Sequence, residues 1–254
     1  MEIYRTIHGP FPGCASYQPL LAIYRTALPA LPINGNLDEI SVDVLRERDS
    51  KMFFPRSGIH EILQELVVRD VLDCTCNRCK DRREKNRSEF DVLVRYVFNR
   101  ARVLLAMLMY LGHADWINVF KKAEFGDENL DGFLSYVSNH PPPGLSPGFI
   151  KSFESAFDLF RPPIFTMGTP KFSYEYHQRF PYINDEECGK GSSGTVRKFE
   201  IHDDYLDSSL RKVASKYTLS EKGSVSRPLL FDVVNIADMV SVCFRKENPE
   251  IHHE

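Results

Sequence analysis

Nine consecutive uncharged residues, Val-Leu-Leu-Ala-Met-Leu-Met-Tyr-Leu from Val103 to Leu111, constrain this chain more than any other stretch. Crossing a bilayer takes about 20 apolar residues, so a run of this length belongs inside a protein core. Upstream, Phe90, Leu93, Val94, Val97, Phe98 and Ala101 lead into Leu104, Leu105 and Leu108 at helical spacing. The pattern predicts one helix over Ser88–Leu111, stopped by Gly112. Its apolar face is too wide for a surface helix, so it belongs at the centre of a bundle.

Other segments supply the cover. Asn36-Leu37-Asp38-Glu39 reads as a helix start of the capping-box type. Ser57 opens a second helix, with Ile59, Ile62, Leu63, Leu66 and Val67 on one face. Trp116, Val119, Phe120 and Ala123 mark a short helix. After the stiff "HPPPGLSPG" connector, Ser146-Pro147 starts a last helix that buries Phe149, Phe153, Phe157 and Phe160 until Pro162-Pro163 ends it. With 18 Phe and 11 Tyr against one Trp, the packing is driven by phenylalanine. Residues 1–36, rich in Pro and Gly, are expected to be irregular. Residues 37–165 form an all-α module of four or five helices.

From about residue 165 the helical period disappears. Tyr182–Glu187 and Thr195–Ile201 read as strands, with a third near Lys212–Tyr217, so residues 166–254 carry a linker and a partial antiparallel sheet. The fold class is therefore α+β. Between the first two strands stands Gly189-Lys190-Gly191-Ser192-Ser193-Gly194-Thr195-Val196, a G-x-G-x-x-G-x-V pattern. Glycine lets backbone N–H groups approach phosphate oxygens with no Cβ in the way. In a dinucleotide fold such a motif opens a helix; here it opens a strand, the context of a kinase phosphate flap. A flexible hairpin turn is the plain alternative.

"RFPYINDEECGKGSSGTVRKFEIH" resembles the opening of the kinase domain in filamentous-fungal serine/threonine kinase-like proteins. "FFPRSGIHEILQELVV", "RARVLLAMLMYLGHADWINVF" and "FIKSFESAFDLFRPPIFT" look like the helical segment those proteins carry upstream. The resemblance implies an incomplete kinase-like N-lobe that binds ATP, with magnesium. Gly189, Lys190, Gly191, Ser192, Ser193 and Gly194 would cradle the phosphates. Val213-Ala214-Ser215-Lys216 answers to the V-A-x-K element, so Val196 and Ala214 would sandwich the adenine and Lys216 would hold phosphate. The gap from Gly189 to Lys216, 27 positions, exceeds the family's usual spacing and implies an enlarged loop at "HDDYLDSSLRK". Cys188 replaces a branched aliphatic and Ser193 a residue that is often aromatic.

Phosphoryl transfer also needs a catalytic-loop Asp and Asn and the Asp of D-F-G. Neither H-R-D nor D-F-G occurs; "EFGDEN" near Gly126 has those letters in the wrong order. The chain therefore reads as a kinase-like polypeptide, no catalytic residue is assigned, and turnover is not expected. The alternative is a non-catalytic interaction protein whose helical module binds a protein partner.

Cys74-Thr75-Cys76-Asn77-Arg78-Cys79 holds three thiols within six residues. Zinc wants four ligands, commonly as two close pairs. Only Cys14, His60 and His113 stand elsewhere as distant candidates, so the expected state is reduced cysteines at a helix end, with no metal. Arg78–Arg87 carries six basic and two acidic residues and reads as a solvated linker. Without aromatic interleaving, and with a net charge of -3, nucleic acid is not an expected partner. Neither a secretory signal nor a membrane segment is visible, so a cytoplasmic or nuclear location is expected.

Overall fold

The computed structural model describes residues 13–28, 52–76, 79, 87–139, 146–166, 180–191 and 194–212. The helix expected from Asn36, most of the "HPPPGLSPG" connector, most of the basic run, Ala214, Lys216 and the tail after Lys222 lie outside them. Two compact units meet between Pro162 and Pro163.

The first unit is helical: α1 (Tyr17–Arg25), α2 (Arg56–Ile62), α3 (Glu65–Leu72), α4 (Arg87–Arg100), α5 (Arg102–Tyr110), α6 (Ile117–Lys122), α7 (Gly132–Asn139) and α8 (Pro147–Phe160). Residues Val103–Leu111 are all buried, and α5 touches α1, α2, α4, α6 and α8. The apolar run does sit at the centre.

The single helix expected over Ser88–Leu111 is two helices. Ala101 leaves the helical region at φ -145°, ψ 31°. The turn Phe125-Gly126-Asp127 fits into the break. The Asp127 amide donates to the Arg100 carbonyl at 2.7 Å, and its carboxylate accepts from the Val103 and Leu104 amides at 3.0 and 2.8 Å. Asp127 thus closes the end of one helix and caps the start of the next. Burial raises its pKa, while the two amide bonds and the positive charges of Arg56 and Arg161 oppose that shift. The approach leaves no room for a side chain at Gly126, where a Cβ would lie 2.5 Å from the Arg100 oxygen. The Tyr96 hydroxyl donates to the Phe125 carbonyl and ties the turn to α4.

Gly112 stops α5 as expected, in the left-handed region at φ 73°. Its amide donates to Met109 and that of His113 to Leu108, the paired bonds of a Schellman ending.

The second expected helix is also divided. Leu63 breaks it at ψ 62° and Gln64 is extended, so α2 ends and α3 begins on a new axis. Ile59, Leu63, Val68 and Val71 then face the core, and Leu66, expected on the buried face, is 75% exposed.

A further correction concerns residues 1–36. Tyr17–Arg25 is helical and buries Leu20, Leu21, Ile23 and Tyr24. Pro19 sits in the first turn, where the missing N–H is not required. Beyond α1, Leu28 and Phe53 exchange both backbone hydrogen bonds at 2.9 Å, and the Phe54 amide donates to the Leu159 carbonyl in α8.

Two aromatic groups fill the interior. Phe54 packs on Phe160 at 4.7 Å between ring centroids, with Tyr24 and Tyr110 edge-on around them. Phe120, Phe133 and Phe153 pack at 4.1 to 5.5 Å, and Phe149 stacks on Trp116 at 5.2 Å. α8 contributes to both groups. Its start is the expected one, with the Ser146 hydroxyl accepting from the Phe149 amide.

The second unit contains β1 (Tyr182–Gly191) and β2 (Gly194–Ile201), paired antiparallel. Two strands make up the sheet among the described residues. Residues 208–212 are helical, so the beginning of the third strand expected near Lys212–Tyr217 is instead a helical turn. Among the described residues no helix is long and apolar enough to cross a membrane.

Replacing Asp127 with Ala removes the acceptor for two amides at the centre of the core. Urea unfolding should show a loss of about 2–4 kcal/mol, because two buried amides lose their acceptor. Asp127→Asn, which keeps one acceptor oxygen, should lose less.

Candidate functional site

Two places gather chemistry-bearing residues, one in each unit. In the second unit the glycine motif forms a hairpin. Its register pairs Gly189 with Val196, Lys190 with Thr195 and Gly191 with Gly194, so the two strands pair up to the inner glycines of the motif. Register shifts fall between Tyr182 and Asn184 and between Glu187 and Gly189. The second leaves Cys188 as an extra residue just before the first glycine, a bulge that bends the strand and strengthens its twist. Gly189, Lys190, Gly191, Gly194 and Val196 are therefore gathered at one end of the hairpin. Ser192, Ser193, Ala214 and Lys216 lie outside the described residues.

The segment after β2 is ordered by its own polar groups. Phe165 donates to the Tyr205 carbonyl at 2.7 Å and accepts from the Asp207 amide at 2.9 Å, which ties the chain entering this unit to the chain leaving the hairpin. Tyr205 and Leu206 are buried there. Asp207 then caps the helical turn, accepting from the Leu210 amide at 2.7 Å and from the Ser209 hydroxyl. The segment "HDDYLDSSLRK" is thus folded: a 3-10 turn over Asp203–Tyr205, a bridge at Leu206 and a capped helix start.

In the first unit, Cys14, Cys74, Cys76 and Cys79 come together, with all four sulfurs within 4.8 Å of one another. Cys14 Sγ lies 3.8 Å from Cys74 Sγ and 4.0 Å from Cys79 Sγ. None of the four is in a disulfide. Cys14 stands three residues before α1, and the other three follow the end of α3, where the Cys79 amide donates to the Cys76 carbonyl in a tight turn. The Ala15 amide points at Cys74 Sγ from 3.4 Å. Cys14 and Cys74 are buried, Cys76 and Cys79 half-buried. Burial raises the Cys14 thiol pKa. Burial, then the hydrogen bond to Cys76 and the neighbouring thiols, push that of Cys79 far up.

A fourth thiol, Cys14, 60 positions away in sequence, therefore joins Cys74, Cys76 and Cys79 beyond the helix end. The histidines weighed with it are elsewhere: His113 packs edge-on against Phe149 and Trp116, and the His60 carbonyl accepts from Gln64 and Arg102. Nothing local in the sequence ties Cys14 to Cys74. The only advance signal is the clustering of Cys74, Cys76 and Cys79, too many thiols for one helix end. No family profile, curated protein or solved structure matches this chain.

The helical turn after the bridge is capped by one carboxylate, so Asp207→Ala should loosen it locally. A cap of about 1 kcal/mol corresponds to roughly five-fold faster hydrogen exchange at the Leu210 amide, with the α5 amides unchanged. Equal protection in both proteins would show that the cap is not what holds the turn.

Proposed function

We propose that the second unit is the nucleotide-binding opening of a protein-kinase-like lobe, and that its ligand is ATP with magnesium. The observation that carries this reading is the position of the turn. The antiparallel hairpin reverses inside the glycine motif, between Gly191 and Gly194, and not beside it.

A phosphate chain laid under such a turn meets backbone N–H groups with no side chain between, at the three glycine positions. The charge of Lys216, by its likeness to the V-A-x-K lysine, would neutralise part of the phosphate charge, and Val196 and Ala214 would cover the adenine. The magnesium ion would bridge phosphate oxygens. No step beyond binding is assigned to these residues, because neither a base-positioning aspartate on an H-R-D loop nor a metal-binding D-F-G is present in the sequence.

Mg-ATP titration of the purified chain, followed by thermal unfolding, tests the proposal. Nucleotide at 100 times its Kd should stabilise the protein by about 2.7 kcal/mol. Lys216→Ala should weaken binding about tenfold, or about 1.4 kcal/mol, and Gly191→Val should weaken it further. Phosphate release and transfer to Ser or Thr peptides should stay at background. Absence of any shift at millimolar Mg-ATP, or a shift that both variants preserve, would refute the nucleotide lobe and favour a non-catalytic interaction protein.

A further inference from the structure

We infer that Cys14, Cys74, Cys76 and Cys79 form a closed structural site for one zinc ion, which clips the start of α1 to the end of α3. The geometry is that of a single tetrahedral ion. Zinc–sulfur bonds of about 2.3 Å place ligand sulfurs about 3.8 Å apart, and the cluster shows 3.8 and 4.0 Å, with every sulfur within 4.8 Å of the rest. A disulfide needs about 2.05 Å, and none of the four sulfurs is so bonded. An iron–sulfur cluster spreads its thiolates over several irons and needs wider separations than these. Four thiolates in a compact tetrahedron exclude the oxygen-preferring divalent ions and favour zinc.

The surroundings fit a structural ion better than a catalytic one. All four positions come from protein, so no coordination site remains for water or substrate. The Ala15 amide at 3.4 Å from Cys74 Sγ supplies the kind of outer hydrogen bond that steadies a charged sulfur. Binding proceeds without oxidation: four thiols give up four protons, and Zn2+ accepts four sulfur lone pairs, leaving a centre of net charge -2.

The consequence concerns chain organisation. The two ligand-bearing segments are joined through 59 intervening residues, and the ion closes that loop in the folded state. The site is not preformed in the unfolded chain, so the free energy of binding the ion adds to that of folding. The first unit should therefore lose stability when the ion is removed, independently of anything the hairpin binds.

The test uses the full chain, expressed with zinc and purified without chelator. Elemental analysis should find about one zinc per chain, and exchange for Co2+ should give the strong thiolate-to-metal absorption and visible bands of a tetrahedral sulfur site. Cys76→Ser and Cys79→Ser, at half-buried positions, should lower zinc content at least tenfold and abolish the cobalt spectrum. A strong chelator should lower the unfolding temperature of the wild type and leave these variants unmoved. If the variants fail to fold, the cobalt titration of the wild type still decides. Zinc well below one per chain together with no cobalt spectrum, iron in its place, or a Cys14–Cys74 disulfide found by mass spectrometry would each overturn the inference.

Discussion

The helical unit depends on one buried carboxylate placed in a gap. Separating α4 from α5 at Ala101 exposes amides at the head of α5 and a carbonyl at the tail of α4, all inside the core. Left unpaired, such groups would cost about 1–3 kcal/mol each. The turn at Asp127 satisfies an acceptor on one side and two donors on the other. With that in place, α5 can leave the axis of α4 and run through the middle of the bundle, where every face of Val103–Leu111 finds an apolar neighbour.

The aromatic packing follows from this change of direction. α8 lies against α5 and presents Phe149 and Phe153 to one group of rings and Phe160 to the other. Tyr110, at the end of α5, reaches the second group, and α1 closes it through Tyr24. Burial of the Tyr24 hydroxyl and the nearby Tyr110 raise its pKa well above the ordinary value. The ion pair between Arg69 and Asp91 at 2.8 Å links α3 to α4 at the surface, where such pairs add little.

How much of this was legible depended on the range of the signal. α8 could be read because Ser146, Pro147, the phenylalanine spacing and Pro162-Pro163 all act within one element. Gly112 could be read for the same reason. The hairpin was legible from its glycines and its change to period two. The break at Ala101 was not, because the residue that stabilises it is Asp127, and a periodic sequence looks the same whether or not a distant carboxylate interrupts it. The turn outward at Leu66 was hidden similarly, since the apolar spacing continues across Leu63 while the backbone does not. α1 was obscured by the weight of proline and glycine around it. Cys14 is the clearest case: a solitary residue in a segment of that composition carries no local sign of three partners near residue 76.

The Leu28–Phe53 bridge has a consequence for how this chain can change. Residues 29–51 leave and return at a single point held by two backbone hydrogen bonds, while Met52, Phe53 and Phe54 beyond it are buried. The two bonds fix which residues of the returning chain enter the core, so moving the bridge by one residue would displace Phe53 and Phe54 from their places against the bundle.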